Sequence, residues 1–256
     1  MQIPGNAISI IVVGDEILSG KRQDKHLAHV VEELSRRGLR LHSCHYASDD
    51  LDELTLQIRQ SRQAGVPVFC FGGIGATPDD VTRAAAAGAF STNLERHPDA
   101  ADIIVSQFGD EAYPRRILMA DLPAGATLIP NPVNNIPGFA VEQHYFLPGF
   151  PRMAWPMMSW VLDSYYADAG GGVVSEESVR VFGQRESDLI DLMEKLSARH
   201  SAVKIFSLPH MGDDPYIELG FRGDPGKVSQ AFASLQEALE QGGITYQGQA
   251  PNRHTA

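Results

Sequence analysis

The chain has 256 residues, enough for one large domain or two modest ones. Hydrophobic residues make up 43% of it and charged residues 21%, which excludes wholesale disorder, collagen and coiled coil. The 21 Lys and Arg against 32 Asp and Glu give a net charge of -11, which argues against broad binding to nucleic acid or anionic lipid. The charge balance therefore favours a small-molecule partner.

Two cysteines, Cys44 and Cys70, lie far apart in the chain without a pairing pattern. Neither a disulfide framework nor a four-thiolate zinc site is available from them. No apolar run approaches the roughly 18 to 20 residues that span a bilayer, and the run at residues 7–13 lacks a positively charged leader. We expect a cytoplasmic protein with no membrane partner.

The first part of the chain alternates strand patterns with helix patterns. Continuous or alternating apolar runs predict the strands, and apolar residues at helical spacing predict the helices. The predicted segments are a strand at 8–13, a helix at 26–37, a strand at 39–46, a helix at 50–63, a strand at 66–71 and a helix at 80–90. Strands that alternate with helices indicate a doubly wound α/β structure with right-handed crossovers.

The middle of the chain is less regular. Residues 97–119 are predicted to be helical, and a Pro- and Gly-rich stretch follows from Pro123 to Pro151 with one strand at 140–146. A further helix is predicted from Met153 to Tyr166. Such loops often shape ligand pockets, but rigid surface turns have the same composition.

Three consecutive glycines at 170–172 predict a flexible linker, which separates a domain at 1–169 from one at 173–248. The second region alternates in the order β-α-β-β-α-β, which is typical of a small ferredoxin-like or KH-like α+β domain. Its predicted segments are 178–182, 186–199, 202–206, 216–221, 227–241 and 244–246. The polar end at 249–256 is expected to be a disordered tail.

The strongest chemical signal is GGIGATPDDVT at 72–82, between a predicted buried strand and a predicted helix. Glycines there let the backbone turn sharply and bring unpaired amides against a phosphate. Carboxylates beside them could hold Mg²⁺ or another divalent ion. The candidate ligand-binding residues are Gly72, Gly73, Gly75, Thr77 and Thr82, and the candidate catalytic and metal-binding residues are Asp79 and Asp80.

A plainer interpretation of the same segment is that Thr77 or Asp79 caps the helix and Pro78 lies near its first turn. Both interpretations can hold together. Two standard nucleotide fingerprints fail: Pro78 stands where a dinucleotide-binding loop has its third glycine, and Gly14 to Lys21 misses the P-loop spacing by one residue.

The second signal is GDEILSG at 14–20, which follows the first predicted strand. Ligands of open α/β sheets bind beyond the carboxyl ends of the strands, so this loop and the glycine-rich loop could face one site. Its candidates are Asp15 as a catalytic carboxylate and four ligand-binding residues: Gly14, Glu16, Ser19 and Gly20. An acidic pair after a strand can also be a plain turn or a helix cap.

Four motifs, in this order and spacing, resemble those of the molybdopterin-binding (MoaB/Mog-like) superfamily. They are GDEILSG, GGIGATPDDVT, NPVNNIPGF and LPGFP, and the resemblance covers roughly residues 5–168. The nearest branch is the amino-terminal half of the competence/damage-inducible protein CinA. The resemblance implies a three-layer α/β sandwich with a mostly parallel sheet, followed by the small domain, in a homo-oligomer that is a dimer or a trimer.

The resemblance also implies where the ligand binds. Both loops would form the site, with Asp79 or Asp80 on the metal and Gly73, Gly75 and Thr77 against phosphate. The third and fourth motifs add Asn131, Pro132 and Gly149 as ligand-binding candidates. The chain departs from the family pattern at Ala76, at His26 and at Asn134, where the family usually has proline, asparagine and glycine, respectively.

The implied function is metal-dependent hydrolysis of a nucleotide pyrophosphate such as ADP-ribose or FAD, with Mg²⁺, Mn²⁺ or Co²⁺ as cofactor. The alternatives are adenylyl transfer to molybdopterin in molybdenum cofactor biosynthesis, and binding of a pterin or nucleotide without turnover. The sequence lacks the amidohydrolase domain of full-length CinA proteins, so no nicotinamide-nucleotide deamidase activity is expected. Nucleic acid is a weak alternative, because the small domain has no basic G-x-x-G loop.

Overall fold

The computed structural model describes residues 5–170, 175–212 and 214–248. The chain divides after Gly170 into two compact units, at a position within the glycine run that suggested a linker. The predicted linker residues Gly171 and Gly172 and the predicted tail at 249–256 lie outside the described residues.

Eight strands and six α-helices make up the first unit as far as it is described. The strands are β1 (Ala7–Val13), β2 (Arg40–Ala47), β3 (Val68–Phe71), β4 (Leu94–Arg96), β5 (Asp121–Pro123), β6 (Thr127–Ile129), β7 (Gly138–Val141) and β8 (His144–Leu147). The helices are α1 (Asp15–Leu18), α2 (His26–Arg36), α3 (Leu51–Ala64), α4 (Thr82–Phe90), α5 (Pro98–Phe108) and α6 (Pro151–Tyr165).

Six of these strands form one sheet in the order β2-β1-β3-β8-β7-β6. β1 is parallel to β2 and β3, and β3 is parallel to β8, whereas β7 is antiparallel to both of its neighbours. β4 and β5 pair separately. The mostly parallel sheet that the sequence predicts is confirmed.

Helices cover both faces of this sheet. β1 is buried along its whole length because its side chains alternate between two cores. On one face, Ile11 and Val13 pack in a cluster with residues of α3, α4 and α5. On the other, Ile8 and Ile10 pack in a cluster with residues of α2 and α6. This is the expected three-layer sandwich.

Three predicted segments of this unit differ from the structure. α4 begins at Thr82 rather than at residue 80, with Val81 at its N-cap position and no side-chain cap, so the predicted cap by Thr77 or Asp79 is wrong. α5 ends at Phe108, and two short 3₁₀ turns continue to Ala120. The predicted strand at 140–146 is a hairpin of β7 and β8, which reverses at Glu142 with a φ of 51°.

The second unit has the predicted β-α-β-β-α-β order. Its elements are β9 (Ser175–Phe182), α7 (Glu186–Arg199), β10 (Lys204–His210), β11 (Tyr216–Gly223), α8 (Pro225–Gln241) and β12 (Tyr246–Gly248). The sheet order is β10-β11-β9-β12, antiparallel throughout, with one core between the sheet and its two helices. β12 lies two residues beyond its predicted start. Across the described parts of both units, no helix has the length and apolar character that a bilayer crossing requires.

Candidate functional site

Four loops leave the same edge of the large sheet, because β2, β1, β3 and β8 run parallel and all end there. The acidic segment at 14–20, called the acidic loop below although it contains the short helix α1, follows β1. The glycine-rich loop at 72–81 follows β3. The LPGFP segment, 147–151, begins with the last residue of β8. The two loops that the sequence predicted to share a site therefore begin on adjacent strands.

A cavity of about 640 Å³ lies between these loops. Asp15, Glu16 and Ser19 line it from the acidic loop, and Asp79 lines it from the glycine-rich loop. The remaining wall consists of Leu18, Lys21 and Asp49. A cavity of this size is within the range of small-molecule pockets.

Asp49 is a wall residue that sequence reasoning missed. It follows β2, and it exchanges hydrogen bonds with Asp15: the backbone N–H of Asp15 donates to Asp49 Oδ2 at 2.9 Å, and that of Asp49 donates to Asp15 Oδ1 at 3.3 Å. This pair ties the acidic loop to the neighbouring turn. The signal that could have identified Asp49 is its place just beyond a predicted strand.

The cavity wall is strongly acidic. Burial raises the pKa of Asp49, and the negative charges of Asp15, Glu16 and Asp79 raise it further. A wall that carries four carboxylate side chains attracts a cation.

A divalent metal fits this wall in one particular way. Within the described residues, no three His, Cys, Asp or Glu side chains are grouped closely enough to hold a metal ion by themselves. Mg²⁺ commonly takes one or two protein carboxylates and fills its other positions with water and substrate phosphates. The donor set therefore fits an ion that would be shared with a phosphate ligand, and Asp79 and Asp49 are the wall carboxylates that would hold it.

The glycine-rich loop needs glycine at two positions for steric reasons. Gly72 has a φ of 108°, and a Cβ there would lie 2.4 Å from the carbonyl oxygen of Val13 in β1. At Gly73, with a φ of 67°, it would lie 2.3 Å from Thr82 Oγ1. Glycine lets the loop pass directly over the ends of β1 and α4.

The backbone of this loop leaves donors free. Within the described residues, the N–H groups of Gly73, Ile74, Gly75 and Ala76 donate no hydrogen bond. Consecutive free amides are suited to binding an anion. None of the predicted residues Gly72, Gly73 and Gly75 lines the cavity, so the free amides lie beside its wall and the predicted phosphate contacts stay a prediction.

Three predicted site residues of the motif at 72–82 make hydrogen bonds within the motif itself. Asp80 Oδ2 accepts hydrogen bonds from the backbone N–H of Thr77, at 2.8 Å, and from its hydroxyl. Thr82 is fully buried, and its hydroxyl donates to the carbonyl of Gly72 at 2.9 Å. Asp80, Thr77 and Thr82 therefore fold the loop, and none of them lines the cavity, in contrast to Asp79.

Arg83 supports the loop through hydrogen bonds, and it was not identified from the sequence. Its guanidinium is almost fully buried and donates to the carbonyls of Gly75 at 2.8 Å, Asp121 at 3.1 Å and Leu118. Burial lowers its pKa from the ordinary arginine value. A cation that is hydrogen-bonded to the carbonyl of Gly75 adds positive potential near the free amides of the loop.

The fourth motif contacts the glycine-rich loop directly. A Cβ on Gly149 would lie 3.3 Å from the Cα of Gly72, so the two backbones touch. The buried ring of His26 stacks on Phe71 at 4.3 Å, and its Nε2 is hydrogen-bonded to the carbonyl of Gly149 at 3.1 Å. His26 thus holds this loop in place, and burial lowers the pKa of its ring.

The third motif lies outside the cavity wall. Asn131 is buried and shapes its own loop: its amide donates to the carbonyl of Ile136 at 3.0 Å, and its Oδ1 accepts from the N–H of Val133 at 3.0 Å. Pro132 is exposed. Neither residue contributes to the wall of the cavity.

Comparison with known proteins agrees with this architecture. Residues 9–167 match the family model described as "Probable molybdopterin binding domain". A CinA-like protein of Citrifermentans bemidjiense is 29% identical over 240 residues, which are 91% of this chain and 58% of that protein. A protein of Archaeoglobus fulgidus is 29% identical over 231 residues, which are 90% of this chain and 96% of that one.

Among solved structures, that of the protein CinA, of unknown function, from Thermoplasma acidophilum is similar. It shares 29% identity with a TM-score of 0.58 and covers 62% of this chain and 97% of its own. The family match extends over more than half of the chain and contains both loops of the cavity. The chain therefore belongs to the molybdopterin-binding domain family, as a CinA-like member.

Proposed function

We propose that this chain binds a nucleotide or pterin through its phosphates in the cavity between the two loops, and hydrolyses a pyrophosphate bond with the help of a divalent cation. The proposal rests on one observation: hydrogen-bond donors suited to an anion and carboxylates suited to a cation lie at the same end of the sheet. Free backbone amides at 73–76 provide donors for phosphate, and the wall of Asp15, Glu16, Asp49 and Asp79 provides oxygens for a cation.

The proposed division of labour follows from the contacts of each residue. The amides of 73–76 would donate to non-bridging phosphate oxygens and to the negative charge that grows on them during reaction. Because Arg83 donates a hydrogen bond to the carbonyl of Gly75, these donors would need little rearrangement when the ligand binds. A divalent ion on Asp79 and Asp49 would supply charge neutralisation and Lewis acidity at the phosphate.

The central experiment measures turnover of purified protein with ADP-ribose and FAD, each in Mg²⁺, Mn²⁺ and Co²⁺. We expect hydrolysis that depends on the metal, and Asp79→Asn should lower kcat/KM by about 100-fold, within the range for removal of one transition-state charge contact. Asp102→Asn is the matched control, because Asp102 is an exposed carboxylate on α5. It should leave kcat/KM unchanged.

Two results would contradict the hydrolase proposal. One is an absence of turnover in every combination of metal and substrate. The other is an Asp79→Asn variant as active as the Asp102→Asn control, since the cavity would then not be the reaction site.

The second candidate is a protein that binds the same ligands without turnover. It is favoured by the state of two candidate catalytic carboxylates: Asp15 Oδ1 accepts from the backbone of Asp49, and Asp80 Oδ2 accepts from Thr77. Calorimetry with ADP-ribose and Mg²⁺ separates the candidates, because binding without product supports the second. Adenylyl transfer would use the same surfaces, and it is tested by adding ATP and molybdopterin together.

A further inference from the structure

An exposed aromatic ring stands beside the cavity and has no structural task of its own. Phe150, in LPGFP, leaves 58% of its surface exposed. Its backbone is well fixed: Pro151 opens α6, and the carbonyl of Phe150 accepts from the N–H groups of Met153 and Ala154 at 2.9 Å each. The ring is therefore held out into solvent on a rigid support.

Two contacts locate this ring next to the cavity wall. The guanidinium of Arg22 lies 6.0 Å from the centre of the Phe150 ring and pairs with Glu16, a wall residue, at 3.3 Å. On the other side, Gly149 touches Gly72 of the glycine-rich loop. Phe150 thus lies at the rim, between the acidic loop and the amide donors. Leu18, a wall residue that is 53% exposed, adds a second apolar surface.

The ligand chemistry explains why such a ring would be useful. Pterins and adenine nucleotides carry a flat heterocycle a short distance from their phosphates. Flat heterocycles stack on exposed aromatic rings and on guanidinium planes, whatever the substituents on their edges. Five of the seven residues of the cavity wall are charged and none is aromatic, so the wall itself offers no ring for this group.

We propose that Phe150, backed by Arg22, is the stacking platform for the heterocycle of the ligand and so sets the preference for heterocycle-bearing phosphates over simple ones. This inference rests on the proposed function, because it takes the phosphate site as given. It assigns to Phe150 a specificity role, not a part in bond cleavage.

The test compares two ligands that share a pyrophosphate group, one with a heterocycle and one without. Calorimetry in Mg²⁺ measures Kd for ADP and for inorganic pyrophosphate on the full chain. Phe150→Ala should raise the Kd for ADP by about tenfold, which is in the lower to middle range for loss of one stacking contact. It should leave the Kd for pyrophosphate within about twofold of the wild-type value. Tyr165→Ala is the matched control, since Tyr165 is also 58% exposed but lies at the far end of α6.

A gain-of-signal variant provides a second readout. In Phe150→Trp the larger ring should keep or improve ADP affinity, and its fluorescence should be quenched by ADP but not by pyrophosphate. The wild-type chain, which has only Trp155 and Trp160, supplies the background signal.

The outcomes separate the two proposals. If both ligands bind the wild type and Phe150→Ala weakens neither, or weakens both equally, the stacking role is wrong while the phosphate site stands. If neither ligand binds the wild type, the proposed function fails and the stacking role fails with it.

Discussion

Asp49 is the residue at which the electrostatics of the cavity are most directly measurable. Its pKa is raised by burial and by the charges of Asp15, Glu16 and Asp79. An acid whose pKa is higher in the folded than in the unfolded state opposes folding wherever it is ionised. The apo protein therefore carries an unfavourable electrostatic free energy at neutral pH, which the proposed cation would relieve.

Asp49→Asn should stabilise the apo protein at pH 7. The substitution removes the charge but keeps an oxygen that can accept from the N–H of Asp15, and we expect a gain within about 1 kcal/mol, the scale of partly exposed charge interactions. The gain should disappear as pH falls below the ordinary aspartate pKa, because the carboxyl is then neutral in both states. Urea unfolding at pH 7 and pH 3.5 measures both values, and a loss of stability at pH 7 would refute the like-charge account.

The same variant should weaken Mn²⁺ binding in the presence of pyrophosphate, although it stabilises the apo chain. Opposite effects on stability and on cation affinity are what a destabilised binding site predicts. Calorimetry with Asp102→Asn as control measures the affinity.

Residue types and spacing predicted part of the cavity wall, and contacts over long sequence distances explain the rest. Asp15, Glu16, Ser19 and Asp79 could be identified because each lies in a loop directly after a predicted strand. Asp49 also follows a predicted strand, but only the strand order shows that the end of β2 lies beside the end of β1. Arg83 had no sequence signal, since two of its carbonyl partners are 35 and 38 residues away.

At the scale of elements, the glycine-rich loop is defined by how closely its backbone approaches its neighbours. Gly72 lies against the carbonyl of Val13, and Gly149 lies against Gly72. Three loops at the sheet edge are thereby packed backbone to backbone, which fixes the donors at 73–76.

Gly72→Ala should therefore destabilise the protein far more than Gly20→Ala. Both glycines have positive φ, 108° and 72°, but only Gly72 has a backbone oxygen 2.4 Å from the new Cβ, whereas Gly20 has nothing within 4 Å. We expect a loss of about 1 kcal/mol for Gly20→Ala from backbone strain alone, and at least about 3 kcal/mol for Gly72→Ala. Urea denaturation compares them, and equal losses would mean that the close approach is unimportant.

Elements with a clear apolar period were predicted well, and those set by side-chain hydrogen bonds were not. β1 follows from a continuous β-branched run, and α7 has the predicted bounds. The start of α4 could not be predicted, because the Asp80 carboxylate binds the N–H of Thr77 and holds the chain in a turn instead of a helix. The β7–β8 hairpin was missed because its reversal uses Glu142 at positive φ, without a glycine or asparagine to mark it.

For the molecule as a whole, the unfolding of the first unit can be followed separately by fluorescence. Both tryptophans, Trp155 and Trp160, lie in α6, so tryptophan fluorescence follows the first unit alone. That unit contains three histidines whose pKa is lowered mainly by burial: His26, His29 and His144. Each is held in its neutral form.

The unfolding free energy of the first unit should fall as pH drops below 6.5. The unfolded chain takes up protons on these histidines near the ordinary value, whereas the folded chain resists until the lower folded pKa, which is about 4 for His144. His144 packs against Phe90 and Phe146, contacts Ser61 at 2.9 Å, and has Glu142 and Arg62 as charged neighbours. Its share of the loss is at most about 3 kcal/mol.

Urea titrations followed by tryptophan fluorescence from pH 7.5 to pH 4 measure this slope. His144→Phe should flatten it, because Phe90 and Phe146 offer an apolar surround and Ser61 keeps the carbonyl of Ile58 as its acceptor. The exposed His42→Gln should leave the slope unchanged. A wild-type unfolding free energy that does not change between pH 7.5 and pH 4 would contradict the lowered pKa of these histidines.

The most direct test of the phosphate and cation site is a crystal structure of the full chain with ADP and Mn²⁺, using the anomalous signal of manganese. We predict a phosphate within hydrogen-bond distance of the amides of residues 73–76 and an anomalous peak against the Asp79 carboxylate. A nucleotide bound away from this sheet edge, or a phosphate in the cavity with no manganese beside Asp79, would contradict the account.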